Sequence, residues 1–333
     1  MRLSPKDPEA QTPRHVLVLA TLVVLAVAVT VGGFFASVHP LIEALTNGRL
    51  QLLLIAMVLV VVAALLGQRS LAAVAMVVVI INALFVIPYL TPASGDPRPA
   101  NDQDVIRVMQ YNVWFGNKDM DGIAQHVRDA DADVVVLHEL TTAQWVELEL
   151  RLVDEYRFTL GVPLDAQDGQ LGGGMAVLTR SAQSRRLPVP AEFSPVDRVL
   201  LAVATETPGG EELLVVGLHP HASRHVGPKV DLRQQQLAGV VQLAADWDGP
   251  AVVVTDMNVT PTSPVYTQLL HDLGWRDPHR TVGWKSTWPT WGGWFGLPID
   301  HVLVSDRVSL HSYTVGDGAG SDHKSVTAEV SVR

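Results

Sequence analysis

The chain has 333 residues, 34 acidic against 24 basic, a formal charge of −10, and no cysteine. That length exceeds one ordinary domain and argues for two regions of different character. The missing cysteine excludes disulfides and thiol-ligated metal, and the acidic balance argues against tight binding of a polyanion such as nucleic acid.

Three apolar runs follow one another near the N-terminus: Val16 to Val38, Leu50 to Leu66 and Leu71 to Leu90. None carries a charge, and only Gln51 and Asn82 inside them are strongly polar. A hydrocarbon core takes about 20 apolar residues of helix, and buried core helices seldom run that far without a polar face. The pattern predicts three transmembrane helices over residues 15–90, behind a tail of residues 1–14. The first run is long for a secretory signal, and two further spans follow it. Arg2, Lys6 and Arg14 outnumber Asp7 and Glu9 in the tail. The first loop balances Glu43 with Arg49, and the second, Gly67-Gln68-Arg69-Ser70, is purely positive. Positive-inside logic puts tail and second loop in the cytoplasm and everything after Leu90 outside, in a multi-pass protein of the cell membrane.

Thr91-Pro92-Ala93-Ser94-Gly95-Asp96-Pro97-Arg98-Pro99 reads as part of a linker over residues 91–104. The remaining stretch of about 230 residues is ample for one sizeable core. From Thr91 onward 31 acidic residues oppose 19 basic ones, a formal −12. Val105 to Trp114 predicts a strand, Gly122 to Ala132 a helix with Ile123, Val127 and Ala130 on one face, and Asp133 to Leu140 a buried strand. Together they form a β-α-β unit with parallel strands. A helix is expected over Ala143 to Tyr156 and a strand over Met175 to Arg180, after Gly172-Gly173-Gly174. Leu200 to Glu206 and Glu212 to Leu218 flank Pro208-Gly209-Gly210, a hairpin signal. A helix from Val230 to Trp247 leads into "VVVTDMNVTP", residues 252–261, and a short helix from Pro264 to Leu273 comes next. Ile299 to Ser305 and Ser325 to Val332 close the chain as strands. Mixed strands with few helices predict an α/β domain over 105–333, two mixed sheets packed on each other with helices outside.

Polar residues stand at the ends of the buried strands: Asn112 in "QYNVW", Glu139 in "VLHEL", His219 in "VVGLHPH", Asp256 and Asn258 in "VVVTDMN", Asp300 and His301 in "PIDHVLVS", and Asp322 and His323 in "GSDHKSV". Singly, an Asn or Asp there is more often a turn former, and a lone His beside an apolar run is usually a satisfied structural residue. As a set they point elsewhere, because strand ends on one side of a sheet converge in space. Carboxylate and amide oxygens suit a hard divalent ion, Mg²⁺ or Mn²⁺, with zinc second. HExxH and GxSxG motifs are absent, so zinc-peptidase and serine-hydrolase chemistry lose their usual support. Oxygen ligands, a further Asp and two His describe metal-assisted attack of water on phosphorus.

These motifs resemble the endonuclease/exonuclease/phosphatase superfamily over roughly Val105 to Val332, with the signature segments in order. The resemblance implies a four-layer α/β sandwich and a divalent-metal phosphoesterase site. It makes Glu139 the principal metal ligand, helped by Asn112 and Asp322. Asp256 would position and deprotonate the attacking water, with Asn258 holding water or a phosphoryl oxygen. His219 and His323 would face the phosphoryl oxygens, and Asp300 would orient His323. The metal-ligand segment, often Gln-Glu, is His138-Glu139 here, which leaves His138 without an assigned role. "HPHASRH" adds His221, Arg224 and His225, as surface residues or as a grip on a second phosphate.

Fold and site do not name the substrate. Tethering to a membrane places the substrate at or near the bilayer. "WKSTWPTWGGWFGLP", residues 284–298, holds Trp284, Trp288, Trp291, Trp294 and Phe295 in one loop. It dips into the headgroup region, holds a lipid tail, or packs as an aromatic corner. Three spans before such a domain also resemble a group of actinobacterial membrane proteins linked to glycopeptide-antibiotic resistance. That implies a lipid-linked pyrophosphate, undecaprenyl pyrophosphate, as substrate in cell-wall carrier recycling. The competing readings are a membrane-bound nuclease, a phospholipid or sphingomyelin phosphodiesterase, and a non-catalytic protein that binds a cell-wall precursor.

Overall fold

The apolar runs are helical. The computed structural model describes residues 13–36, 38–98, 104–165, 172–194, 198–222, 225 and 227–333. Helix α1 (Arg14–Gly32) passes into a 3-10 turn (Gly33–Phe35), and α2 (Pro40–Thr46), α3 (Arg49–Leu65) and α4 (Arg69–Leu90) follow. Two stretches, Arg14–Phe35 and Arg69–Leu90, each 22 residues, are long and apolar enough to cross a membrane. The expected middle span differs. With 17 residues α3 reaches about 25 Å, short of a hydrocarbon core of about 30 Å. It counts as a third span only when joined to α2 across a 66° bend. At the break the Asn47 side-chain Oδ1, between the two helices, accepts the Thr260 backbone N–H at 2.9 Å.

Leu19, Val23 and Ala26 of α1, Ala56, Leu59 and Ala63 of α3, and Ala75 and Val78 of α4 form one core. Small side chains at such contacts let helices approach closely. Asn82, the polar residue of the third run, donates to Thr30 Oγ1 and to the Val78 carbonyl, each at 2.9 Å.

The rest of the chain alternates strands and helices: β1 (Ile106–Asn112), α5 (Met120–Ala130), β2 (Val134–His138), α6 (Thr142–Leu152), β3 (Phe158–Val162), β4 (Met175–Thr179), β5 (Ser184–Arg186), β6 (Leu200–Glu206), β7 (Glu212–Leu218), α7 (Pro228–Ala245), β8 (Ala251–Asp256), α8 (Pro264–Leu273), α9 (His279–Val282), β9 (Asp300–Val304), β10 (Val308–Val315) and β11 (Val326–Val332). One sheet has the order β10-β11-β1-β2-β4-β3 and the other β5-β6-β7-β8-β9. The predicted β-α-β unit is present, with β1 and β2 parallel and Asn112 opposite His138. In the second sheet β7 and β8 are parallel, and β9 returns antiparallel with Asp300 opposite Asp256.

Between the sheets Val108, Val136, Met175 and Val177 share a core with Val203, Val215, Val252, Val254 and Val302. The sheets approach so closely at Gly217 that a Cβ there would collide with Met175 Sδ. Outside, Ile123 and Val127 of α5 and Leu148 and Leu152 of α6 cover the first sheet. Val240 of α7 and Tyr266 and Leu269 of α8 cover the second. Two mixed sheets flanked by helices are the expected layers. The strands missed from sequence, β3, β5 and β10, all lie at sheet edges: β3 and β5 are only five and three residues long, and β10 loses its alternation at an irregularity between Leu310 and Ser312.

The domain is seated on the apolar helices. Tyr89 donates its hydroxyl to Asp277 Oδ2 at 2.9 Å, and the Trp284 N–H donates to the Tyr89 carbonyl at 2.8 Å. Thr262 Oγ1 donates to the Thr46 carbonyl at 2.9 Å. Arg233 of α7 forms a buried two-pronged ion pair with Glu43 of α2. Part of the segment expected as a linker is bound to the domain: the Ala93 N–H reaches the Arg280 carbonyl at 2.8 Å and the Asp96 N–H the Leu310 carbonyl at 3.2 Å.

Candidate active site

Strand direction assembles the site. The parallel pairs β1/β2 and β7/β8 deliver Asn112, Glu139, His219 and Asp256 to one end of the sandwich, and the antiparallel β9 starts there with Asp300. His323 reaches the same end from the connection between β10 and β11. Glu139 and Asn258 both take left-handed backbone angles, φ 61° and 57°. Such angles are uncommon outside glycine and gather at functional sites, since they turn a side chain out of the strand's alternation.

Asp256 is central. Its Oδ2 accepts from Asn112 Nδ2 at 2.8 Å and lies 3.4 Å from His219 Nε2 and 3.8 Å from His323 Nε2. Its Oδ1 accepts the Asn258 backbone N–H at 3.0 Å. His219 Nε2 is 3.9 Å from Glu139 Oε1. On the far side of His323, Nδ1 stands 3.0 Å from Asp300 Oδ2, and Asp300 Oδ1 accepts from Gln110 Nε2 at 2.7 Å. Among the described residues two groups bring three possible metal-ligating atoms within 4.8 Å of one another: Glu139 with His219 and Asp256, and Asp256 with Asp300 and His323.

The two histidines carry different charge. Burial, then the Arg198 guanidinium beside it, holds His219 well below the usual imidazole range, so it is neutral. Burial also opposes charge on His323, but Asp300 and Asp256 overcome it and raise its pKa to about 10. The partner effect runs the other way in Asp300: burial would raise it, and the charge and hydrogen bond of His323 bring it below the ordinary carboxylate range. Burial pushes Glu139 up, and Asp256 likewise. Two adjacent carboxylates, Asp256 buried and Glu139 partly so, are thus short of positive charge, which is what a divalent cation among oxygen ligands provides. The residues fit a hard divalent metal.

Several expected residues sit differently. Asn112 Oδ1 accepts the Trp114 N–H at 2.9 Å, so both ends of this amide are engaged. Asp322 is half-buried outside both groups, and its Oδ2 accepts the Trp288 indole N–H at 3.1 Å. Asn258 Nδ2 donates to the Pro220 carbonyl at 3.3 Å and ties down the loop after His219. His301, next to Asp300, points to the opposite face, with Nε2 2.9 Å from the Val259 carbonyl and Nδ1 2.8 Å from His279 Nε2. His138 lies buried between the sheets, its ring edge-on to His219 and its pKa lowered by burial to about 4. His221 is buried with its ring edge-on to His225. Arg224 lies outside the described residues.

Two further residues shape the site, of which Arg198 was not anticipated. Arg198 is buried, its Nη1 2.7 Å from His219 Nδ1, and it donates to the Gly172 carbonyl at 2.9 Å. Gly172 has φ 81°, and a Cβ there would stand 2.9 Å from Glu139 Cδ. The three-glycine segment therefore lets the chain close over the Glu139 carboxylate.

Comparison with known proteins agrees with this architecture. The model of the Endonuclease/Exonuclease/phosphatase family matches residues 109–323. An endonuclease/exonuclease/phosphatase from Beutenbergia cavernae superposes with a TM-score of 0.53 at 22% identity, over 69% of this chain and 72% of that one. The human Nocturnin catalytic domain, with a bound sulfate, gives 0.53 at 16% identity over 69% and 95%. A mannosyl-6-phosphatase from Bacteroides thetaiotaomicron gives 0.51 at 21% identity over 68% and 99%. A comparison with curated proteins finds no match. The family match spans more than half of the chain and ends on His323, the imidazole that faces both Asp256 and Asp300. This chain belongs to the endonuclease/exonuclease/phosphatase family and is a phosphoric-ester hydrolase.

Proposed function

We propose that the chain is a membrane-embedded, divalent-metal-dependent phosphoesterase that hydrolyses a lipid-linked pyrophosphate at the outer surface of the cell membrane. The observation that carries this is the closeness of site and membrane helices. Four and six residues beyond Asp256, the Thr260 N–H and the Thr262 hydroxyl are hydrogen bonded to Asn47 and Thr46, at the joint between α2 and α3. A phosphate held in the plane of the headgroups has little distance to cover, whereas a free polyanion meets a chain of net charge −12 from Thr91 onward. A polyprenyl pyrophosphate such as undecaprenyl pyrophosphate fits, and its hydrolysis to the monophosphate would return a cell-wall carrier to use.

In this reading Asp256 accepts the proton of the attacking water, whose oxygen bonds to phosphorus as the bond to the leaving phosphate breaks. Burial suits Asp256 to that task by raising its basicity. His323, charged and oriented by Asp300, offsets negative charge on the phosphoryl oxygens. Neutral His219 donates a hydrogen bond there without adding charge, and Asn258 steadies the loop that carries it. Glu139 would hold the metal, with Asn112 and Asp322 nearest it in the expected arrangement. Bound Mg²⁺ or Mn²⁺ supplies Lewis-acid charge to the phosphoryl group.

The test is phosphate release by the purified full chain, in detergent with Mg²⁺ or Mn²⁺, from polyprenyl pyrophosphate, phospholipid and DNA in parallel. Release from the first alone supports the proposal. Cleavage of DNA or of phospholipid alone replaces it with a nuclease or a phospholipid phosphodiesterase, and inertness towards all three favours a precursor-binding protein.

A further inference from the structure

The loop from Trp284 to Pro298 divides its aromatic residues between two tasks. Trp284 is buried against Leu50, Leu53, Val86 and Tyr89, at the domain end of α3 and α4. Trp288 holds Asp322 through its indole N–H, and its ring lies 6.4 Å from that of His323. These two make the packed corner. Trp291, Trp294 and Phe295, on the 3-10 turn between them and β9, are 87%, 50% and 62% exposed. Trp294 and Phe295 meet edge to face at 5.4 Å, so they present one apolar surface.

Large aromatic side chains that are this exposed and this close together mark a contact surface. The height of the turn identifies its partner. Gln51, in the first turn of α3, donates its amide to the Phe295 carbonyl at 2.6 Å. The aromatic tip therefore stands beside the domain end of an apolar helix whose outward residues include Ile55, Val58 and Val62. Indole rings favour the boundary between headgroups and acyl chains, where the ring is buried and its N–H stays wet.

We propose that Trp291, Trp294 and Phe295 insert into the interfacial zone of the lipid bilayer as a wedge beside α3. Trp288 then links the wedge directly to Asp322 and His323, so the mouth of the active site is held at headgroup level. The inference rests on the reading that α1, α3 and α4 lie in the membrane, and it deepens the proposed function by naming the surface that seats the site on its substrate's plane.

Fluorescence quenching tests it without turnover. The full chain is reconstituted into phosphatidylcholine/phosphatidylglycerol vesicles containing phosphatidylcholine brominated at either shallow or deep acyl positions. The emission removed by the double substitution Trp291→Phe and Trp294→Phe is compared with that removed by Trp247→Phe, a residue at the opposite end of β8. Loss of the Trp291/Trp294 component in brominated vesicles, stronger with shallow than with deep bromine, and survival of the Trp247 component support insertion. A Trp291/Trp294 component as bright in brominated as in plain vesicles overturns it and leaves the tip to a protein partner or a second copy. Strong quenching in a protein inert towards lipid pyrophosphate would discard the substrate and keep the wedge.

Discussion

The Asn112 amide donates from the end of β1 in one sheet to the Asp256 carboxylate at the end of β8 in the other, over 2.8 Å and a separation of 144 residues. This single bond spans the sandwich. It also leaves Asp256 one partner short whenever Asn112 is removed, and a buried acceptor left unmade costs about 1–3 kcal/mol. Asn112→Ala is expected to lower stability by that order and to reduce turnover. Asp256→Ala should lower turnover by roughly 10²–10⁴-fold, the range for loss of a general base, with the fold retained. Thermal melts and initial rates on the same preparations separate the two, and full activity in Asp256→Ala would remove it from the chemistry.

Metal removal should abolish phosphate release, and added Mg²⁺ or Mn²⁺ should restore it. Ligand binding to the folded state raises stability by about 2.7 kcal/mol at a hundredfold excess over Kd, so the metal should also raise the melting temperature. Glu139→Gln is expected to lose most of that rise. An unchanged metal-induced shift in Glu139→Gln would move the ion elsewhere.

Gly172→Ala is the companion experiment. Its Cβ would press on Glu139 at 2.9 Å, in a backbone conformation that alanine adopts poorly. Displacing a group that positions a ligand typically weakens metal affinity about 10–100-fold. The variant should need more metal for half-maximal activity, and it should melt below the parent even at saturating metal because the backbone strain remains. Metal dependence equal to that of the parent would reduce the glycines to a plain connection.

The His323–Asp300 pair makes stability depend on pH in chelator-treated protein. His323 has a folded pKa of about 10, above that of a free imidazole, so its contribution is complete below about 6.5 and is lost as pH rises towards 10. Asp300 has a lowered pKa, so its contribution holds at neutral pH and is lost in acid. Asp300→Asn should flatten the loss between neutral and alkaline pH and bring the His323 titration, followed by imidazole NMR, down in pH. A His323 titration that stays in place would detach the two residues.

Glu43 and Arg233 join α2 to the catalytic domain in a buried ion pair. Removing one partner strands the other's charge, at a cost of about 3–5 kcal/mol, whereas replacing both by apolar residues of similar volume is often nearly neutral. Glu43→Leu and Arg233→Met singly should each lower the melting temperature in detergent, and the double variant should recover most of it. Additive losses would mean that the pair is not coupled.

Much of this architecture was legible in the chain because apolar patterning reports burial. β6, β7 and α8 have the boundaries expected from sequence, since clean turn signals bound them. The edge strands β3, β5 and β10 were not read, because the first two are short and an irregularity between Leu310 and Ser312 breaks the alternation of the third. Arg198 escaped for a topological reason. It stands before β6 rather than after it, and only the antiparallel pairing of Leu200 with Leu218 sets the start of β6 beside His219. His301 shows the converse. It shares its strand with Asp300, yet strand alternation turns it to the other face.

Residue order alone established the apolar helices, the run of strands and the polar residues at strand mouths, because local periodicity and solvation act on neighbours in the chain. Which of those polar residues meet, which imidazole is charged and how near the apolar helices they lie depended on the packing of the folded chain. Charge and desolvation act through space over a few ångströms, and only the folded chain sets those distances.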